Sequence, residues 1–208
     1  MAQIFAGLFA EGTTDVTFLH PIVQKTLEAI AFECSGQFDI DVLPIKIDKT
    51  NLSFIEQILS ASKHGMEQFG IHIICVHTDA DSESSSIAYK NKIDLAKLAL
   101  ASKNNDEYCK ILVAIIPIQE TESWLLADKE LLKLEIGTTK LDIELGIHRN
   151  PETIANPKEI ITEAIRIARQ DLSQRRRSDL TIADLYLPIG QSIDLDKLQR
   201  LLPRPLNS

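Results

Sequence analysis

The sequence has few aromatic residues and no long apolar run. Phe, Trp and Tyr make up 5% of its 208 residues, and there is a single tryptophan. No apolar run approaches the roughly 20 residues that a helix needs to cross a bilayer, and no basic segment followed by an apolar one opens the chain. Apolar residues at 44% and charged residues at 25% are typical of a globular domain. These features argue against a membrane protein, and we expect a cytoplasmic one.

Cysteine is scarce as well. The three cysteines, Cys34, Cys75 and Cys109, are odd in number and far apart. The spacing lacks the close pairs of a zinc knuckle, and an odd number argues against a disulfide framework. We therefore interpret them as buried thiols of a protein in a reducing compartment.

Positive charge is outnumbered by negative charge. The chain carries 22 Lys and Arg against 30 Asp and Glu, which gives a formal net charge of −8. Such a protein does not hold DNA through its own diffuse field, because the phosphate backbone repels it. The charge is compatible with bound cations and with a basic partner.

Four short segments have the pattern of β-strands. Residues 2–10, 71–78 and 110–118 are nearly continuous apolar runs, as expected of strands buried on both faces. Residues 38–47 alternate in polarity, and Pro44 within them is typical of a sheet edge or a bulge.

Helical periodicity separates these strands. Apolar residues at steps of three and four predict a helix over 14–31, Ser53 is placed to cap a second helix, and residues 87–102 form a third. The order β-α-β-α-β-α-β predicts an α/β fold with a Rossmann-like, mainly parallel four-stranded sheet and helices on both of its faces.

Strand signals fade after the fourth predicted strand. Residues 121–134 look helical, and short helical stretches near 179–187 and 194–202 close the chain. We predict an α/β domain over residues 1–128 and a helical extension over 129–208. The extension is expected to pack on the same domain as a cap.

Acidic residues follow three of the four predicted strands. Glu11 comes just past the first strand, Asp79 and Asp81 past the third, and Glu120 and Glu122 past the fourth. The carboxyl ends of parallel strands meet at one edge of a sheet, where ligands bind. Crowded carboxylates are unfavourable unless a positive charge lies among them, and hard oxygen ligands favour Mg²⁺ or Mn²⁺ over zinc. The pattern therefore predicts a metal site.

Several of these positions also have ordinary structural interpretations. Asp15 is well placed to complement the dipole of the first helix, and Thr13 or Thr14 can cap that helix. Glu120 and Glu122 occupy positions that are common in the first turn of any helix. His72 and His77 alternate with apolar positions on the third strand and are expected to face the helix layer or the edge of the site.

The residues after the first and third strands resemble those of a known domain. Glu11, Gly12 and Asp15 form Glu-Gly-x-x-Asp, and Asp79 and Asp81 form Asp-x-Asp. In the α/β part of the chain this pattern resembles the Toprim domain. That domain is shared by topoisomerases, bacterial primases, small RNA-maturing nucleases and the overcoming-lysogenization-defect nucleases.

A narrower resemblance extends over nearly the whole chain. Residues 119–128 and 150–161 and the closing short helices look like an uncharacterised family of small bacterial Toprim-like proteins. Members of that family often sit beside an ATPase gene in defence-type loci. The resemblance therefore implies a partner ATPase.

The resemblance implies a role for each matching residue. Glu11 would be a metal ligand or a general acid/base, and Asp79 and Asp81 would be metal ligands. Gly12 would let the backbone approach a phosphate. Asp15 would steady the loop or the residues around the metal ligands.

Further candidates lie outside this pattern. In the narrower family Glu120 and Glu122 would complete the metal site. Lys158, at the start of a helix, is a candidate for a transition-state or phosphate contact, although a solvated lysine is the commoner finding there. Arg175 and Arg176, in the sequence QRRR, are candidates for phosphate binding, although an exposed basic turn is the commoner explanation.

One feature departs from the Toprim pattern. The Asp-x-Asp is followed by Ser-Glu-Ser-Ser-Ser over 82–86, where topoisomerase and primase relatives continue differently. Glu83 is a candidate extra ligand near the metal.

Three functions remain open from the sequence. The first is metal-dependent phosphodiester chemistry, with a nuclease (a hydrolase of DNA or RNA) as the leading candidate. The second is a non-catalytic Mg²⁺-binding module that works with a partner ATPase. The third is a nucleotide-sugar transferase, since Asp-x-Asp after an apolar strand also occurs there, but in that case Glu11 and Gly12 would have no role.

Overall fold

The chain forms two compact units. A computed structural model describes residues 2–80, 85–173, 176 and 179–201. Its units are Met1–Ile116 and Pro117–Ser208, so the division falls just after the last strand. The first unit holds the sheet and its helices, and the second unit is helical.

The sheet of the first unit has four parallel strands. They are β1 (Ala2–Phe9), β2 (Phe38–Pro44), β3 (Ile73–His77) and β4 (Leu112–Ile115), in the spatial order β2-β1-β3-β4. All three neighbouring pairs are parallel. The predicted α/β class and parallel four-stranded sheet are confirmed, and Pro44 lies on an edge strand, as its missing N–H requires.

Helices cover both faces of this sheet. The helices of the first unit are α1 (Thr13–Glu33), α2 (Phe54–Phe69), α3 (Ser85–Ala88) and α4 (Asp94–Ala101). On one face α1 packs on β1 and β2. On the other face α2 packs on β1 and β3 and against α4. The core beneath α2 and α4 includes Phe9, Ile58, Ile74 and Leu100.

The start and end of α2 follow from local sequence. The Ser53 backbone N–H donates to Glu56 Oε2 at 2.8 Å, and the Glu56 N–H donates to Ser53 Oγ at 3.4 Å. This reciprocal pair satisfies two backbone donors at the helix start. Gly70 ends the helix with φ of 60°, a left-handed conformation that glycine adopts without strain. The predicted cap at Ser53 is confirmed.

The predicted helix over 87–102 is interrupted. A π-helical segment, Tyr89–Ile93, separates α3 from α4, and the Asp94 N–H donates to the Tyr89 carbonyl five residues back. Buried Ala88 and Ile93 are five residues apart, so this wider turn keeps both in the core. An unbroken α-helix would rotate one of them away from it.

Side chains of α1 cover the outer edge of the sheet at β2. Gln24 donates to the Ile40 carbonyl at 2.6 Å and accepts from the Val42 N–H at 3.0 Å. A ring nitrogen of His20 lies 2.8 Å from the Val42 carbonyl. These contacts occupy backbone groups that would otherwise be open to another strand.

The second unit is built from short helices. Its α-helices are α5 (Thr121–Leu125), α6 (Lys129–Ile136), α7 (Pro157–Ala168), α8 (Tyr186–Ser192) and α9 (Leu195–Leu201), and its 3₁₀ turns are Pro151–Thr153 and Ile182–Asp184. Pro157 begins α7, and Asn156 occupies the cap position. The Asn156 amide donates to Glu159 Oε2 at 3.3 Å instead of capping the backbone.

The cysteines only partly match expectation. Cys75 and Cys109 are buried free thiols, and burial raises the pKa of Cys75 to about 11. Cys34 is exposed, because it lies just past the end of α1, so the prediction of three buried thiols was wrong at this position. Among the described helices, none is long and apolar enough to cross a membrane.

Candidate metal site at the carboxyl edge of the sheet

The register of the sheet brings Glu11 and Thr78 together. Phe9 of β1 pairs with Val76 of β3, and the residues two positions beyond this pair are Glu11 and Thr78. Thr78 is fully buried, and its hydroxyl donates to Glu11 Oε1 at 2.7 Å. The carboxylate after β1 is therefore tied to the end of β3.

Asp79 lies beside the buried ring of His77. The His77 Nε2 atom is 3.4 Å from Asp79 Oδ1, and Nδ1 is 4.0 Å from Asp15 Oδ2. The His77 side chain has no exposed surface. Asp79 Oδ1 is itself buried and has no hydrogen-bond partner among the described residues. A buried carboxylate oxygen in this condition is costly unless another group satisfies it.

Asp15 and Gly12 form the turn into α1. The Gly12 N–H donates to Asp15 Oδ2 at 2.9 Å, so Asp15 satisfies a backbone donor at the helix start. A Cβ at Gly12 would lie 2.9 Å from the same oxygen, so glycine leaves room for the carboxylate. The structural interpretation of Asp15 is confirmed. The phosphate contact of Gly12 stays a prediction.

Two lysines that the sequence did not single out reach this edge. Lys49 donates to the carbonyls of Ala10 and Glu11 at 2.8 Å each, and Lys92 donates to the Asp79 carbonyl at 3.0 Å and to Thr78 Oγ1 at 3.2 Å. Burial lowers the pKa of Lys49, while the negative charges of Glu11 and Asp15 act in the opposite direction. Both ammonium groups offset the negative charge of the edge.

Three candidate residues lie outside the described residues. They are Asp81, Glu83 and Arg175. In the part of the chain that the structure describes, no group of three or more His, Cys, Asp and Glu side chains is arranged to hold a metal ion. This statement does not cover Asp81, the second aspartate of Asp-x-Asp.

Glu120 and Glu122 belong to the second unit. Glu120 is the cap residue of α5, and Glu122 lies in the first turn of that helix. Glu122 Oε1 accepts a hydrogen bond from the hydroxyl of buried Tyr186 at 2.5 Å. The first-turn position is an ordinary one for Glu122, whereas Glu120 at the cap position makes no side-chain hydrogen bond to the helix start. Their role as metal ligands stays a prediction.

Glu152 of the second unit is held by two side chains of α5. It was not among the residues predicted from the sequence. Its Oε1 accepts from the Trp124 indole at 2.9 Å and from the Ser123 hydroxyl at 3.2 Å. Burial raises the pKa of Glu152, although these hydrogen bonds act in the opposite direction. Glu152 thereby tethers the 3₁₀ turn Pro151–Thr153 to α5.

The basic candidates of the second unit are on its surface. Lys158 is exposed in the first turn of α7, and Arg176 is exposed, with its carbonyl accepting from Arg169 Nε at 3.1 Å. An open groove is lined in part by Arg166 and Arg169. Arg166 Nε and Nη2 donate to the Glu163 carboxylate at 2.7 and 2.6 Å.

Comparisons of the chain with family models, with curated proteins and with solved structures found no match. The chemistry of the site therefore has to be argued from its residues.

Proposed function

We propose that the chain carries out metal-dependent phosphodiester chemistry, as a nuclease that acts on DNA or RNA. The observation that supports this most strongly is that the Glu11 carboxylate is held at the end of β3, beside the residue that precedes Asp79. Glu11 is tied to Thr78, the neighbour of Asp79, by a 2.7 Å hydrogen bond. Ligands of parallel α/β sheets bind at this edge.

The residues present fit a divalent cation of the Mg²⁺ or Mn²⁺ type. Glu11 and Asp79 offer carboxylate oxygens, the ligands that these ions prefer. Asp79 Oδ1 is buried without a hydrogen-bond partner among the described residues, which is the condition of an oxygen that a cation would satisfy. Asp81, beyond those residues, is the third ligand that the Toprim resemblance implies.

When bound, such a cation neutralises phosphate charge and activates water for an in-line displacement. The contribution of the chain is to orient the two carboxylates. Glu11 is held from β3 by Thr78, and Asp79 is held beside buried His77. The start of α1 at Gly12 lies at the same edge, but the Gly12 N–H already donates to Asp15 Oδ2, so a phosphate would have to bind the other helix N–H groups there.

Substrate binding would need more than this edge. The net charge of −8 weakens the affinity of the chain for nucleic acid on its own. Lys158, Arg175 and Arg176 are the proposed phosphate contacts. A partner ATPase, which the narrower resemblance implies, would supply the remaining affinity.

A cleavage assay tests the proposal. Supercoiled plasmid and single-stranded RNA are incubated with the protein and Mg²⁺, Mn²⁺ or a chelator. Asp79→Ala is compared with Asp39→Ala, a change at an exposed aspartate of β2. We expect metal-dependent cutting that Asp39→Ala retains and that Asp79→Ala reduces by about 100-fold or more, because removing a ligand should cost more than the roughly 10- to 100-fold loss typical of removing an outer partner of a ligand.

Two outcomes contradict the nuclease proposal. Cutting by Asp79→Ala at the wild-type rate would overturn the metal site. No cutting under any condition, with Mn²⁺ still bound in calorimetry, would support the non-catalytic module that works on its partner ATPase.

A further inference from the structure

We infer that Thr78 and Lys92 are positioning residues that fix the orientation of Glu11. The inference rests on the proposed function, because it takes Glu11 as a ligand of the metal. The supporting contacts form a short chain from Lys92 Nζ to Thr78 Oγ1 to Glu11 Oε1, with lengths of 3.2 and 2.7 Å.

The protons that each group carries decide which group donates in these two hydrogen bonds. A threonine hydroxyl has one proton to donate and lone pairs to accept with, whereas an ammonium group only donates. Because Lys92 only donates to Thr78 Oγ1, the hydroxyl proton is left for one of two acceptors, Glu11 Oε1 at 2.7 Å or the Asp79 carbonyl at 3.5 Å. The shorter distance and the charge of the carboxylate favour Glu11.

The backbone around Lys92 is unusual in the same place. Lys92 belongs to the π-helical segment Tyr89–Ile93. Such segments are rare and occur often at functional sites. The wide turn keeps Ile93 in the core and leaves the preceding residue directed at the end of β3, where its ammonium group reaches Thr78 and Asp79.

Glu11 needs such support because its side chain is not packed in the core. It is exposed and lies in the bend between β1 and α1. Thr78, in contrast, is fully buried, so its hydroxyl is a fixed point. A carboxylate held by a fixed donor loses less entropy when it binds an ion, and outer partners of metal ligands are known to act in this way.

The test is the dissociation constant of Mn²⁺, measured by calorimetry on the full chain. Thr78→Val removes the hydroxyl at nearly constant volume, and we expect binding about 10- to 100-fold weaker, the usual cost of losing an outer partner of a ligand. Thr78→Ser keeps the hydroxyl, so we expect affinity within about threefold of the wild type. Thr78→Ala serves if the valine variant does not fold.

A double-mutant cycle tests whether Lys92 acts through Thr78. In the Lys92→Met background we expect Thr78→Val to change the Mn²⁺ affinity by less than about threefold, because residues that act through one hydrogen bond are not additive. A purely structural role of either residue would give additive effects. Lys63→Met is the matched control, since the Lys63 ammonium pairs with Glu67 and Glu107.

The outcomes separate this inference from the proposed function. Wild-type affinity in both Thr78→Val and Thr78→Ala, or additive effects in the cycle, would overturn the positioning role and leave the metal site in place. No Mn²⁺ binding by the wild type would overturn the metal site, and the positioning role with it.

Discussion

Both units gather carboxylates, but the partners of those carboxylates differ. In the sheet-edge cluster (Glu11, Asp15, His77 and Asp79), the groups nearby include a histidine ring and the lysines Lys49 and Lys92. In the helical cluster of the second unit, Glu122 and Glu152 accept from the neutral side chains of Tyr186, Trp124 and Ser123.

The difference in partners distinguishes carboxylates that are available to an ion from carboxylates that hold helices and turns together. The bonded oxygens of Glu122 and Glu152 are committed to buried donors that hold short helices and turns in place. Asp79 Oδ1 and Glu152 Oε2 are both buried without a hydrogen bond in the described part of the chain, and Asp79 Oδ1 lies 3.4 Å from His77 Nε2. What distinguishes the sheet edge is the presence of two ammonium groups, those of Lys49 and Lys92. The sheet-edge cluster therefore has the properties of an ion site, and the helical cluster those of a structural network.

The largest expected effect is the response of the sheet-edge cluster to a cation. Mn²⁺ at 100 times its dissociation constant should stabilise the fold by about 2.7 kcal/mol, which raises Tm by about 5–10 °C for a chain of this size. We expect the wild type to show this shift in differential scanning calorimetry and Asp79→Asn to lose it.

Glu122→Gln is the comparison for this experiment. If the helical cluster is a structural network, the Mn²⁺-dependent rise in Tm persists in this variant. A rise that disappears in Glu122→Gln would assign Glu122 to the metal, as the sequence predicts, and would end the distinction between the two clusters.

Removing the centre of the helical cluster should cost stability. Glu152→Ala leaves the buried Trp124 indole N–H and the Ser123 hydroxyl without their acceptor. Each unsatisfied buried donor costs about 1–3 kcal/mol, so for the two donors together we expect a loss of about 2 kcal/mol or more in urea unfolding. Glu130→Ala, at an exposed glutamate of the same unit, should change stability by less than about 1 kcal/mol.

A smaller effect is expected at Tyr186. The change Tyr186→Phe removes the hydroxyl that donates to Glu122 and keeps the buried ring. We expect a loss of about 1–2 kcal/mol, typical of one hydrogen bond to a charged group, in urea unfolding. An unchanged midpoint would show that the contact does not stabilise the helical cluster.

The smallest effect is a change in pH dependence. Burial raises the pKa of Glu152 in the folded protein. The contribution of this group to the free energy of unfolding is therefore complete at pH values below its pKa in the unfolded chain, and it is lost as pH rises through its pKa in the folded protein. Glu152→Gln removes this titration. Between pH 4 and pH 7, a window of about three units around and above a normal glutamate pKa, we expect Tm of the variant to rise relative to the wild type. Parallel curves would contradict the assignment.

Much of the fold was predictable because apolar runs mark the strands, and the Ser53 cap follows from residue chemistry alone. The burial of these strands was only partly predicted, because β3 is largely buried whereas Ala2 of β1 and Val113 of β4 are exposed. The meeting of the first and third strand ends follows from parallel topology. Glu11 and Asp79 were therefore found from the sequence, although their common neighbour Thr78 was not.

The contacts that were missed depend on geometry without a strong sequence signal. Lys92 reaches the edge because of a π-helical segment, whose only trace is the spacing of five between buried Ala88 and Ile93. Glu152 meets Trp124 across 28 residues, within a stretch whose polar composition predicts only a connection. In both cases tertiary packing decides which polar side chains are brought together.

The most direct test of the central claim is anomalous diffraction from crystals of the full chain grown with Mn²⁺. The account predicts one Mn²⁺ peak at the carboxyl edge of the sheet, coordinated by oxygens of Glu11 and Asp79. A peak coordinated elsewhere, or no peak at saturating Mn²⁺, would contradict it.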